Sequence, residues 1–348
     1  MTATTHGARI GGATIGGETS GGETIGGATI QDASDGGATA AVPLRSPVAR
    51  SGSLSPTRAA DFKVCPLLYR FRSVDRLPQT PSSAAVRGTV VHRAMEQVFD
   101  VPAARRTLEH ATSLLSPALA EVIAGRPEVA ELFRPPADAA ADSGPGSGSG
   151  SGSAEPTARW LAEAERLVGR WFELEDPTRL EPDGREVFVE HRVADDLVLR
   201  GIVDRIDVAP DGRIRIVDYK TGRAPSEAFE QKALFQMKFY ALLLWRTRGR
   251  VPTRVQLVYV GGQGRLLPLD VDQAQLEAFE RTVISLWRAI RTAAETGEWL
   301  PRRSRMCSWC DYKPLCPEWG GTPPPLPPDA LDRVLRPPAP DVPDDDEA

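Results

Sequence analysis

The stretch IVDYKTG sets an aspartate and a lysine two residues apart, Asp218 and Lys220, at the end of a β-branched apolar run. Strand alternation places both on one face with Ile214 and Ile216. Upstream, GIVDRIDV puts Ile202, Asp204 and Ile206 on one face of a second strand. The two runs flank APDG. With Pro210, Asp211 and Gly212 as a hairpin loop and Gly212 left-handed, Val208 faces Ile214 and Asp204 faces Asp218. Carboxylates directly opposite one another repel. A divalent cation between them removes that repulsion, and carboxylate oxygens suit Mg²⁺ or Mn²⁺. Lys220 would then hold a fixed positive charge beside the cation. Solvated charges at strand ends would account for a D-x-K string by itself, because such strings are common. What else converges there decides between the readings.

Two helical segments supply candidates. Gln236 and Tyr240 lie four residues apart in QMKFY and share a helix face. His92 lies in RGTVVHRAMEQ, one turn before Glu96. A histidine on a half-apolar helix is more often a packed core residue, so His92 gains weight only from the combination.

A second constellation is made of sulfur. CSWCDYKPLCP places Cys307, Cys310 and Cys316 close together, and the one other cysteine, Cys65, lies far upstream in DFKVCPLLYRF. C-x₂-C is a metal knuckle, and three clustered thiolates with a distant fourth make a ligand set. Zinc and an iron–sulfur cluster fit it equally well. Such spacing belongs to a metal site in a reducing compartment rather than to disulfides, which points to the cytoplasm. Trp309 and Tyr312 are expected to pack around it.

The elements that must position these residues occupy part of the chain. Residues 11–28 repeat Gly-Gly about every five positions, and residues 1–50 cannot bury enough surface to offset ordering entropy. A Gly/Ser stretch over 135–156 reads as a flexible insertion, and residues 322–348 as a disordered Pro-rich, acidic tail. Between them, residues 51–321 form one domain. Ser55-Pro56 starts a helix, and residues 84–99 carry apolar positions at helical spacing. A helix over TARWLAEAERLVGRWFELE precedes the strands REVFVEHRV, LVLRGIVDRIDVA and RIRIVDYKT. Then come a helix over 227–247, the strand RVQLVYV and a long helix over 272–298. Helices flanking a small mixed sheet make an α/β or α+β domain.

Bulk properties exclude little. The net charge of −5 resides in the final eight residues, DVPDDDEA, and the rest of the chain balances to zero. No run of about 18 apolar residues suggests a membrane span, and the N-terminus lacks the pattern of a signal peptide. No G-x-x-x-x-G-K-[ST] phosphate loop is present, so unwinding would fall to a separate helicase.

RGTVVHRAME, GIVDRID, VDYKTG and QMKFY, in that order, resemble the RecB branch of the PD-(D/E)XK nucleases over roughly residues 54–318. The resemblance implies a PD-(D/E)XK core and a DNA exonuclease acting in repair or recombination. It implies His92, Asp204 and Asp218 as metal ligands, aided by the Tyr219 carbonyl, and Lys220 as the catalytic lysine. Gln236 and Tyr240 would position that lysine or the DNA. Glu190 in VFVEHRV and Glu96 are accessory acids on this reading. The cysteine spacing is similar to that of the [4Fe–4S] members of the branch, including the AddB nuclease domain, which favours a [4Fe–4S] cluster at Cys65, Cys307, Cys310 and Cys316 over zinc. A DNA-binding or scaffold subunit of a helicase–nuclease complex is the alternative, but a pure binding module has no need of paired carboxylates. The basic runs RFRSVDR and PRRSRM could neutralise phosphates, with Tyr69, Phe71 and Trp309 stacking on unpaired bases.

Overall fold

The computed structural model describes residues 51–134, 154–224 and 230–336. The N-terminal tail expected over 1–50, residues 135–153 of the expected insertion and residues 337–348 lie outside the described residues.

The first half opens with a short strand β1 (Gly52–Leu54) and helices α1 (Pro56–Val64) and α2 (Pro66–Tyr69), the latter running into a π-turn over Arg70–Val74. Ser55 caps α1 by accepting the Arg58 N–H, with Pro56 in the first turn, as the sequence predicts. Helices α3 (Ser83–Gln97), α4 (Leu108–Ser113), α5 (Leu115–Gly125) and α6 (Ala154–Leu174) follow. The start of α6 at Ala154 takes residues 154–156 out of the expected insertion. The remaining elements are β2 (Gly184–Ala194), β3 (Leu197–Val208), β4 (Ile214–Arg223), α7 (Glu230–Arg248), β5 (Arg254–Gly261), β6 (Arg265–Asp270), α8 (Gln273–Thr296) and α9 (Ala330–Leu335). Strands β1 and β6 are short or half-exposed, and alternation did not reveal them.

The sheet is mixed, ordered β1-β3-β4-β5-β6 with β2 also on β3. Antiparallel β2 lines one edge of β3 along most of its length. The other edge is shared: β1 pairs parallel with Leu197–Leu199, and β4 pairs antiparallel with residues 205–208. Among the described residues, no strand pairs on that side with the stretch between, which contains Asp204. The β3–β4 hairpin has the expected register, Val208 opposite Ile214, and Gly212 is left-handed at φ 80°.

Alternation on β4 and β5 divides the interior into two cores. Ile214, Ile216, Val255, Leu257 and Tyr259 face a core built with α1, α7 and α8. Val217, Tyr219, Val258 and Val260 face a second core built with α3 to α6. The middle of helix α7, Phe239–Leu244, is apolar and buried on every side, as a helical segment inside a protein is. Met237, Phe239 and the run Ala241–Leu244 are fully buried. At about 1.5–3 kcal/mol per large apolar side chain, this helix is a principal source of cohesion. Helix α6 instead buries one stripe, Trp160, Ala164, Val168 and Trp171.

The C-terminal segment departs from expectation. Residues 322–336 pack on the domain: Ala330 and Val334 are buried in the first core, Arg70 donates to the Pro324 carbonyl, and Arg333 donates to the Val74 carbonyl at 2.9 Å. Proline density reads as disorder in a sequence, but here two well-placed apolar residues find a groove beside the π-turn.

Candidate active site

Lys220 is buried, and the side chains of Asp218 and Gln236 hold its ammonium. It lies 3.1 Å from the Asp218 carboxylate and donates to Gln236 Oε1 at 2.8 Å. Gln236 in turn donates through Nε2 to the Tyr240 hydroxyl at 3.4 Å. Gln236 and Tyr240 reach the same place because they are one helical turn apart on α7. Burial raises the Tyr240 phenol well above its ordinary value, and the nearby charges of Asp218 and Asp204 add to this. The phenol therefore keeps its proton. Gly201 makes room for it: a Cβ at that position would stand 2.9 Å from the Tyr240 ring.

On the neighbouring strand, Asp204 Oδ2 accepts the Tyr219 N–H at 2.7 Å and lies 3.6 Å from His92 Nδ1. Helix α3 presents His92, half-buried, with its ring edge-on to Tyr219. A third side chain joins them. Ligand atoms of His92, Glu186 and Asp204 all lie within 4.8 Å of one another. Two ligands of one Mg²⁺ are at most about 4.2 Å apart, given bonds of about 2.1 Å. Small adjustments would therefore bring all three onto one ion, and an imidazole with two carboxylates suits Mn²⁺ as well as Mg²⁺.

Glu186 is the residue that sequence reasoning missed. It sits on β2 at the register position opposite Asp204, between the pairs Arg185↔Arg205 and Val187↔Val203, and its φ of 46° is left-handed. Period-two spacing places Glu186 and Glu190 on one strand face, so the sequence offers both and only the register chooses. Glu190 is exposed and paired opposite Arg200 in register. Glu96 is engaged by Arg93 at 2.7 Å. Neither accessory acid belongs to the His92–Glu186–Asp204 group. Asp218 stands outside the His92 trio, beside Lys220. The expected Asp204–Asp218 pairing lies just past the last ladder pair, Arg205↔Val217.

The four cysteines line one cavity of about 130 Å³, despite the distance in sequence between Cys65 and the rest. Backbone N–H groups of Arg302 and Ser304 donate to the sulfurs of Cys65 and Cys307, each at 3.3 Å. Burial pushes the Cys310 and Cys316 thiols up, with Cys65 and Cys307 adding to this. Among the described residues, no three of these sulfurs lie within 4.8 Å of one another.

Two expectations about the surroundings are corrected. Tyr69 and Phe71 are in the core, with Tyr69 stacked on Trp299, so they cannot stack on bases. Arg70 and Arg72 are spent on Asp75 and Asp61. Trp309 and Tyr312 both line the cysteine cavity, as expected, but Trp309 is 75% exposed whereas Tyr312 is buried.

The sequence matches the family model of the PD-(D/E)XK nuclease superfamily over residues 53–317. It is 25% identical over 278 residues to the Gene 69 protein of Mycobacterium phage D29, covering 76% of this chain and 96% of that one. Among solved structures, it is similar to a Eubacterium rectale protein provisionally described as an exonuclease (13% identity, TM-score 0.46, 75% of this chain and 86% of that one). It is also similar to SSO0001 (14% identity, TM-score 0.35, 77% and 86%). A match that runs from β1 to the last cysteine, across the whole described sheet, establishes that the chain belongs to the PD-(D/E)XK nuclease superfamily.

Proposed function

We propose that this protein is a divalent-cation-dependent deoxyribonuclease, an exonuclease of the RecB type that works in DNA repair or recombination. The observation that carries the reading is the convergence of Lys220, Asp218 and Gln236 with the cation-sized group His92–Glu186–Asp204 at one end of the sheet. A bound Mg²⁺ or Mn²⁺ would lower the pKa of a water and polarise a phosphoryl oxygen. The chain does the rest. His92, Glu186 and Asp204, with Asp218 and the Tyr219 carbonyl, would hold the ion. Gln236 fixes the Lys220 ammonium so that it meets the charge developing on the phosphate without reorganising. Tyr240, kept protonated, holds Gln236 in the orientation that presents its oxygen to the lysine.

The cysteine cavity supports a [4Fe–4S] cluster over zinc. Thiolates around one zinc, at bonds of about 2.3 Å, stand roughly 3.8 Å apart, closer than any trio here. A cubane places an iron behind each thiolate and needs wider sulfurs. The two N–H donors to sulfur are outer-shell partners of the kind that tune such clusters. The cluster would tie Cys65, after α1, to the C-terminal loop. Exposed Trp309, with Arg302, Arg303 and Lys313 around the same cavity, offers unpaired DNA a stacking face and phosphate partners. A separate helicase is the expected source of single strands.

The test is cleavage of end-labelled linear single-stranded and duplex DNA, and of uniformly labelled circular DNA, with Mg²⁺ or Mn²⁺. Loss of label from linear but not circular substrate is expected. Activity on no substrate with either ion would reject the reading. An absorption spectrum of anaerobically purified protein, brown for iron–sulfur and colourless for zinc, identifies the cysteine ligand.

A further inference from the structure

Past Arg205↔Val217 the β3–β4 ladder has no further backbone pair, and the strands part where Asp204 and Asp218 lie. Side chains bridge them from there. On one side the Asp204 carboxylate takes the Tyr219 N–H. On the reverse, Arg205 donates to the Tyr219 hydroxyl. Arg205 is 1% exposed and is itself gripped: Glu175 receives it in bidentate fashion at 2.9 and 2.8 Å, and Asp207 lies 3.0 Å away. Glu175 follows directly on α6 and also accepts the Trp171 indole N–H at 2.9 Å. A continuous buried path thus runs from α6 through Glu175 and Arg205 on β3 to Tyr219 on β4. Tyr219 is the residue between Asp218 and Lys220.

Burying such charges costs several kcal/mol per ion unless the geometry is near complete, and apolar side chains would fill the space more cheaply. What they would not do is fix a distance. Hydrogen bonds of set length do, and these act where the backbone ladder no longer can.

We propose that Arg205, Glu175 and the Tyr219 hydroxyl form a buried clamp that sets the separation of β3 and β4 at the site, and through it the affinity and size preference for the cation. The proposal rests on the reading of Asp204 and Asp218 as cation ligands. An ion held between two strands senses their spacing directly. Mg²⁺ takes bonds of about 2.0–2.1 Å and Ca²⁺ about 2.3–2.6 Å, so a few tenths of an ångström of splay change which ion fits. The three clamp groups are positioning residues, since their polar atoms are engaged with one another, Arg205 with Glu175 and the Tyr219 hydroxyl, and would act on the ion through the strand spacing.

Tyr219→Phe removes only the hydroxyl and keeps the ring in the core and the carbonyl in the backbone. Calorimetric titration of the full chain should show Mn²⁺ binding weakened about 10- to 100-fold, the range for lost outer-shell partners. Ca²⁺ affinity should fall less than Mg²⁺ affinity. Raised Mn²⁺ should restore kcat, with KM for a DNA oligonucleotide unchanged. Glu175→Gln, which keeps the side-chain volume, should shift Mn²⁺ affinity in the same direction. Wild-type cation affinity in folded Tyr219→Phe and Glu175→Gln overturns the clamp, as does an activity loss that excess Mn²⁺ does not rescue. A wild-type protein that binds Mn²⁺ and cleaves no DNA would refute the nuclease reading and leave the calorimetric test of the clamp standing.

Discussion

Asp218 and Gln236 hold Lys220 in a buried location, so its removal subtracts a fixed charge rather than a mobile one. Lys220→Ala should lower kcat by about 10²–10³-fold, the loss typical of one preorganised electrostatic group. DNA affinity in a filter-binding assay should barely change, since phosphate contacts are spread over many cations. Glu186→Gln tests the third member of the histidine group. It should weaken Mn²⁺ binding by calorimetry, and an unchanged isotherm would remove Glu186 from the ligand set. The contrast between these residues shows what a sequence carries at this scale. Lys220, Gln236 and Tyr240 are legible because strand and helix periods fix their faces. Glu186 is not, because the same period offers Glu190, and neither the register nor the left-handed φ at Glu186 is written in local residue types.

At the scale of elements, the site depends on close approaches between α7 and β3. Gly201 sits on β3 against the Tyr240 ring. Gly201→Ala should cost about 1–3 kcal/mol from overpacking, read as a lower denaturation midpoint. By displacing Tyr240 it should loosen Gln236 and reduce kcat while leaving Mn²⁺ affinity near wild type, the opposite split from Tyr219→Phe. The long elements α3, α6, α7, α8, β2, β3, β4 and β5 were all legible within a few residues, because each carries a sustained period. Strands β1 and β6 were not. A three-residue strand has no period to read, and β6 exposes much of its length.

For the molecule as a whole, the C-terminal boundary matters. Truncation after residue 321 strips Ala330 and Val334 from the first core and leaves Arg70 without its Pro324 carbonyl. The melting temperature should fall clearly, and more than on truncation after Arg336, which keeps all of these contacts. Acid stability has a definable source as well. Burial by itself would raise the Glu175 carboxyl, but hydrogen bonds and charge from Arg205 outweigh it and hold the group below its ordinary value of 4.5. A lowered folded-state pKa gives stability that is present above the unfolded value and lost as pH falls through the folded one. Melting temperature should therefore drop below about pH 4.5, and Glu175→Gln should flatten that limb while costing about 1–3 kcal/mol at neutral pH.

The division of the interior into two cores has a dynamic consequence. His92 rides on α3, whose Val90, Val91 and Ala94 pack in the core behind the sheet, while Gln236 rides on α7, whose Phe235 and Met237 pack in the core in front, and Lys220 alternates onto the strand face of Ile214 and Ile216 in that same core. Proteins open in cooperative parts as well as globally. A transient opening of α3 to α6 away from the sheet would dissolve the cation group while leaving the lysine and its glutamine in register. A cation bound across that seam would lock the opening, so amide hydrogen exchange in α3 should slow on adding Mn²⁺ while exchange in α7 stays unchanged. Equal slowing in both helices would mean that the two cores open together.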